Sequence, residues 1–356
     1  MKLPKISRRA VLKGSAAVAA GTFAPSAQVL AQAPAATAIT PALIKAAQKE
    51  GTCNYYTSID LPLAERIARA FEAKFSGVKV RVERSGAERV FQRIGQEYGS
   101  KIHRVDLANS SDAAHLIVWK KQGILAPFVP EDVAKFFPAE HKDPDGTFSS
   151  FRLTLCPVAY NSKTVKPGEA PKSFNDLLDP KWAGKIAKAH PSYSGTILTA
   201  TFQVSRDIGW GYFEKLAKQK IMQLQSATDP PKKVVLGERM VAADGVEYVM
   251  LREKERGSPI EIVYPSEGTP LIVGPNAIFK AAPNPNAARL LQAWMSTVEC
   301  QQLCIDHGGL RSVHPQAKEK AFWTPLAKIK LMKDDAAAVE KTADSIKKRY
   351  SQLFGV

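Results

Sequence analysis

Residues 51–82 read GTCNYYTSIDLPLAERIARAFEAKFSGVKVRV, and the changes of period inside this run decide the fold class. Cys53 to Tyr56 reads as a strand. From Leu61 to Phe75 the apolar residues Ala64, Ile67, Ala68, Phe71 and Phe75 fall on one stripe, the spacing of an amphipathic helix. Val78, Val80 and Val82 then alternate with charged residues, which is the period of a strand. Outward from this run the alternation continues. Val90 to Tyr98 is a helix, Val105 to Ala108 a strand, and Asp112 to Gln122 a helix for which Ser110 and Ser111 are the expected caps. Strands alternating with helices predict an α/β fold with a largely parallel sheet covered on both faces.

A second alternating set follows. Leu153 to Tyr160 is an apolar run, Lys185 to Ala189 a short strand, and Ser194-Gly195-Thr196 opens a helix. Further on, the pattern predicts helices over 210–218, 246–256, 287–296 and 335–354, and strands over 240–243, 260–264 and 277–280.

The N-terminus carries a different signal. Ser7 to Gly14 read SRRAVLKG, followed by a weakly apolar stretch and small residues near Ala31-Gln32-Ala33. This is the order of a secretory signal peptide, and the adjacent Arg8 and Arg9 make it the twin-arginine type. It departs from the usual motif at Val11, where Phe is commoner. The apolar run is well short of the roughly 20 residues that span a membrane. Residues 1–33 are therefore expected to direct the chain to the periplasm by the twin-arginine pathway.

Composition narrows the function. Hydrophobic residues make up 45% and charged residues 24%, the profile of a water-soluble globular protein. Formal net charge is +16, and five positives with no negatives lie in the signal, which leaves the remainder near +11. The positives are scattered, without an arginine-rich run or an RNA-binding motif, so nucleic acid is not expected as a partner. An anionic small ligand or an anionic membrane surface fits better. Of the four cysteines, Cys300 and Cys304 share a helix face where a disulfide is awkward, and Cys53 and Cys156 read as small hydrophobes. No C-x-x-C, H-E-x-x-H or G-x-S-x-G occurs, and the six histidines are dispersed, so no catalytic or zinc constellation is evident.

Nine segments in order then carry a resemblance: EGTCNYYTS (50–58), AFEAKF (70–75), VDLANSSD (105–112), AYNSK (159–163), FNDLLDPKWAGKI (174–186), HPSYSGT (190–196), VVLGE (234–238), VYPSEGTP (263–270) and APNPNAA (282–288). With these the chain resembles the periplasmic solute-binding proteins of ABC importers, in the branch that holds ferric-ion-binding proteins and their sugar-phosphate and phosphonate relatives. The resemblance implies a two-lobed fold, each lobe a mixed sheet flanked by helices, joined by crossover strands. It places 34–155 and 272–356 in the first lobe and 156–271 in the second, with the ligand between them. It also implies a small-molecule solute, an ABC permease and ATPase as partners, no enzymatic activity and no cofactor; a monomer is expected.

Ligands of open α/β sheets lie beyond the carboxyl ends of strands, beside helix N-termini. The candidates there are Thr57 and Ser58, Ser85 with Gly86, Ser110 with Ser111 and Asp112, and Ser194 with Gly195 and Thr196. Arg152 near the crossover is a candidate for an anionic group, as is Arg311 in the GGLRSVHP loop, while His190 reads rather as a strand-end residue. In the ferric relatives two adjacent tyrosines hold iron. Here the matching pair is Glu247-Tyr248, which leaves these two as the candidate metal ligands and puts iron in doubt. The expected solute is thus a phosphate ester, phosphonate or carboxylate, with ferric iron as the alternative. An exported hydrolase and a binding protein linked to a sensor kinase are the other functional classes considered.

Overall fold

A computed structural model of the protein describes residues 33–356. The signal reading lies outside the described residues, apart from Ala33. In chain order the strands are β1 (Thr52–Thr57), β2 (Lys79–Arg84), β3 (Leu107–Asn109), β4 (Leu125–Ala126), β5 (Ser149–Leu155), β6 (Val158–Asn161), β7 (Ile186–Ala189), β8 (Met222–Leu224), β9 (Val241–Ala242), β10 (Ile260–Val263), β11 (Leu271–Phe279) and β12 (Arg311–Ser312). They form two sheets, ordered β12-β5-β11-β3-β1-β2, with β4 against β11, and β10-β6-β9-β7-β8.

Neither sheet is largely parallel. β1, β2 and β3 are parallel, as the strand–helix alternation of 51–109 requires, but β11 runs antiparallel to both β3 and β5. In the second sheet β7 is parallel to β8 and β9, while β6 is antiparallel to β9 and β10. The antiparallel strands are those where the chain enters or leaves a sheet, so they lack the helical crossover that enforces a parallel neighbour.

The apolar run 153–160 is two strands. β5 ends at Leu155 in the first sheet and β6 begins at Val158 in the second, with Cys156-Pro157 between them. Pro157 has no N–H to continue a ladder. The return passes from β10 to β11, and the two connections meet where the Cys156 N–H donates to the Pro270 carbonyl at 3.0 Å. Gln203 clamps the same place, donating to the Leu271 carbonyl at 2.7 Å and accepting from its N–H at 3.0 Å.

Each sheet has its own core. Phe71, Leu291 and Trp294 pack beneath the first, with Tyr55 and Leu107 of the sheet itself; Trp182, Phe213 and Tyr350 pack beneath the second. Tyr350 belongs to the last helix, Ala336–Phe354, and Val339 and Ile346 of that helix contact Ala114 and Leu198. That helix therefore touches elements of both sheets, whereas the expectation gave all of 272–356 to the first. Cys53, Cys156, Cys300 and Cys304 are buried free thiols.

Candidate functional site

The long middle strand β11 sets the floor of the site. Its register slips between Gly274 and Pro275, and the Pro275 carbonyl is left to accept from the Ser110 N–H at 3.2 Å and from Asn109 Nδ2 at 3.1 Å. This fixes the turn after β3. Opposite Gly274 stands Arg152 of β5. A Cβ at position 274 would lie 3.0 Å from Arg152 Cγ and Nε, so glycine makes the space in which the arginine side chain lies over the strand.

Arg152 is only 2% exposed. It donates to Thr154 Oγ1 at 2.9 Å and more distantly, at 3.4 Å, to Asn109 Oδ1 and Ser58 Oγ. All three partners are neutral, and among the described residues Arg152 has no carboxylate within ion-pair distance. A guanidinium carries five N–H donors, so this one is under-satisfied. Burial lowers its pKa from the ordinary value, but from a starting point high enough that it stays cationic.

Above it is a small cavity of about 20 Å³, lined on the first-sheet side by Ser58, Arg84, Gly86, Ser111 and Arg152. Tyr193, Ser194, Thr196, Ser226, Thr228 and Tyr248 line it from the second-sheet side. The helices Ala87–Gly99, Ala113–Lys121, Gly195–Asp207 and Glu247–Glu255 all begin at this cavity. Their free N–H groups and positive dipole ends favour an anion there. Arg84 adds a second cation whose Nε is held by the Ile59 carbonyl at 3.1 Å and which makes no ion pair among the described residues. The lobes meet at the rim, where Asp60 pairs with Arg252 at 2.7 Å and Arg89 donates to Gln225 at 2.6 Å.

The sequence profile of the bacterial extracellular solute-binding proteins matches residues 108–336, more than half of the chain. The chain belongs to this family. The solute-binding protein shares its fold with the periplasmic binding protein AfuA from Actinobacillus pleuropneumoniae, solved with fructose-6-phosphate, at a TM-score of 0.79 and 24% identity over 86% of this chain and 99% of that one. It is similar to iron-bound HitA from Pseudomonas aeruginosa at a TM-score of 0.72 and 23% identity, covering 84% of this chain and 99% of that one. A probable ABC transporter periplasmic-binding protein of Sinorhizobium fredii is 22% identical over 272 residues, 74% of this chain and 75% of its own length. Family and fold are those of type II periplasmic binding proteins of ABC importers, a family of transport proteins rather than enzymes.

The solute-binding protein brings Ser58, Ser111, Arg152, Ser194, Thr196 and Tyr248 to one cavity. Other candidates serve the scaffold. Thr57 is buried, and its hydroxyl accepts from the Ile59 N–H at 3.1 Å. Ser85 gives its N–H to the Thr57 carbonyl and leaves the lining to Arg84 and Gly86. The cap of the helix after β3 is Asp112, not Ser110 or Ser111: its Oδ1 accepts from the Ala114 N–H at 2.8 Å. Ser110 instead bonds His115 Nδ1 at 2.9 Å. Gly195 does not face the cavity; a Cβ there would meet Asp112 Cβ at 2.7 Å and Ala87 Cβ at 3.2 Å.

The pair 247–248 divides. Glu247 is bidentate on Arg311, with Nε and Nη2 at 2.8 and 2.9 Å, and accepts from the Tyr264 hydroxyl. Both members of this ion pair are buried, so Glu247 is not free to ligate a metal, and Arg311 is tied to it rather than presented to a solute. Burial pushes the Tyr248 phenol well above its ordinary pKa, which disfavours the phenolate that ferric iron requires. His190 accepts from the Ser192 N–H at 3.0 Å, and burial together with Lys188 lowers its pKa to about 4, leaving a neutral strand-end imidazole. One further group of metal-ligand types, Glu88, Asp112 and His115, lies within 4.8 Å of each other. It already holds a counter-cation, since Lys347 Nζ is 2.6 Å from Glu88.

Arg84, Ser226 and Thr228 were missed in the sequence. Arg84 ends β2 beside Ser85 and was open to the rule that selected its neighbour. Ser226 and Thr228 follow β8, a three-residue strand whose Met-Gln-Leu carries no period to read.

Proposed function

We propose that this protein captures a small anionic solute, a phosphate ester, phosphonate or carboxylate, between its two lobes and delivers it to an inner-membrane ABC permease and its ATPase. The observation that carries this reading is Arg152, a buried guanidinium at the cavity floor with only neutral partners. A buried charge without a counter-ion is costly, and a bound anion removes that cost. Hydroxyls of Ser58, Ser111, Ser194 and Thr196 around the same space supply neutral donors. The solute is held without being transformed. Closure of the lobes is stabilised by the difference in affinity between the closed and open states.

Ferric iron finds less support, because Glu247 is engaged by Arg311 and Tyr248 favours its neutral form. The protein acts as a monomer and reaches the periplasm by the twin-arginine route.

Native mass spectrometry of the mature protein, purified without chelators, tests the reading. A bound organic acid or phosphorylated mass supports it, and a bound iron overturns it. In calorimetric titration, Arg152→Gln is expected to weaken the bound anion about ten- to a hundredfold, the worth of one or two charge-assisted hydrogen bonds. Unchanged affinity would remove Arg152 from the site.

A further inference from the structure

The cavity over Arg152 is not the whole of the cleft. It opens past Arg84, Gly86, Tyr193, Ser226 and Thr228, which line both spaces, into a groove of about 570 Å³ at the rim. The inner space is far smaller than the groove, so the body of any solute larger than one compact group extends into the groove.

The groove is charged unevenly. Arg84, Arg89, Lys232, Arg252 and Arg256 line it against Asp60, Asp229 and Glu253. The acids have their own partners. Asp60 is paired with Arg252 at 2.7 Å, and Glu253 with Arg256 at 3.2 Å and the Ser258 hydroxyl at 2.9 Å. Asp229 accepts from the Ser226 N–H and the Thr228 hydroxyl, each at 3.3 Å, and Lys232 approaches it no closer than 3.9 Å. Arg89 bonds only the neutral Gln225 amide, at 2.6 Å, and lies 5.8 Å from the centre of the Tyr193 ring. Among the described residues Arg84 and Arg89 have no carboxylate within ion-pair distance, and Lys232 has only the long 3.9 Å contact to Asp229, a carboxylate already shared with Ser226 and Thr228. These three cations run outward from the inner cavity.

We infer that the solute carries two anionic groups: one seated over Arg152, and a second, a phosphate or carboxylate, held in the outer groove by Arg89 and Lys232. This rests on the anionic reading above and narrows it to doubly acidic phosphate esters such as sugar bisphosphates and phosphorylated carboxylic acids. Arg84, which lines both spaces, neutralises the middle of such a ligand.

Calorimetric titration of the mature protein with inorganic phosphate, glucose 6-phosphate, fructose 1,6-bisphosphate and 3-phosphoglycerate tests this. A doubly acidic ligand is expected to bind at least about tenfold more tightly than the monoester. The bisphosphate and the phosphocarboxylate arms distinguish the second group. Arg89→Gln combined with Lys232→Gln should weaken the doubly acidic ligand about tenfold or more and the monoester by less than about threefold. Both residues are at the surface, and a thermal melt verifies that the variant is folded. Equal affinity for monoester and doubly acidic ligands, unaltered in the variant, overturns the two-anion inference and leaves the single-anion reading standing. Failure of all four compounds to bind counts against the anionic reading itself.

Discussion

Asp334 shows how one side chain senses the meeting of the lobes. It precedes the last helix and lies within reach of Gln203, at 3.4 Å. Burial, with the charge of Asp112 next in effect, raises its carboxyl to about 7. The folded state thus binds this proton more tightly than the unfolded chain, whose carboxyl titrates near about 4. The sign follows. Above about pH 7 the buried carboxylate carries its full cost, and as pH falls from 7 towards 4 the protonated form relieves it. Asp334→Asn should therefore raise stability at about pH 8 by roughly 1–2 kcal/mol, discounted for partial exposure, and change it little at about pH 4.5. Paired thermal melts of the variant and the parent at the two pH values check this; an equal shift at both would show that charge is not the cause. Residue type and its place near the crossover made Arg152 a candidate for an anionic group, and the structure puts it at the cavity. They did not show that Glu247 faces Arg311, since 64 positions separate the two in sequence.

At the scale of elements, the site is built from helix N-termini set edge to edge across the cleft. One close approach is at Gly195, where the absent side chain lets the start of Gly195–Asp207 rest against Asp112 and Ala87. Gly195→Ala puts a methyl 2.7 Å from Asp112 Cβ, so the helix start and Asp112 must move apart from the arrangement seen here. The side chain itself is compatible with a helix. The expected outcome is a loss of solute affinity of about tenfold or more with little change in the melting temperature of the free protein. Small-angle scattering of the solute-saturated variant should retain the larger radius of the open form. An affinity equal to the parent's would mean the helix start yields at no cost. Long periodic helices such as Leu61–Lys74 were legible because one stripe of apolar residues serves one packed face. Short elements such as β8 and β9 were poorly legible, since two or three residues carry no period and are held by their neighbours in the sheet.

For the whole molecule, the twin-arginine export proposed above would link export to folding through the cysteines. All four are buried, three of them with no exposure and Cys304 with 4%, and none is in a disulfide. An unfolded chain entering an oxidising compartment exposes such thiols to mispairing. A chain that folds first, as the twin-arginine route permits, hides them. Replacing residues 1–33 with a general secretory signal should lower the periplasmic yield of soluble protein several-fold and produce mixed disulfides on non-reducing gels. Substitution of the four cysteines by alanine or serine should remove those mixed species. Equal yield and free thiols by either route would break the link between thiol burial and export.

The sequence by itself determined what depends on neighbours in the chain: the α/β class, the long helices, the hydroxyl-rich turns after strands, and the ordered segments that carry the family. Local period and short-range capping are sufficient for these. Only the tertiary structure decided which turns share a cavity, that β11 runs antiparallel through the middle of the first sheet, and that Glu247 is spent on Arg311 while Arg152 is left with neutral partners. It also decided that the last helix packs against helices Ala113–Lys121 and Gly195–Asp207, which flank different sheets. These are outcomes of contacts between residues distant in sequence, where the pairing of one charge depends on which other surface folding brings against it.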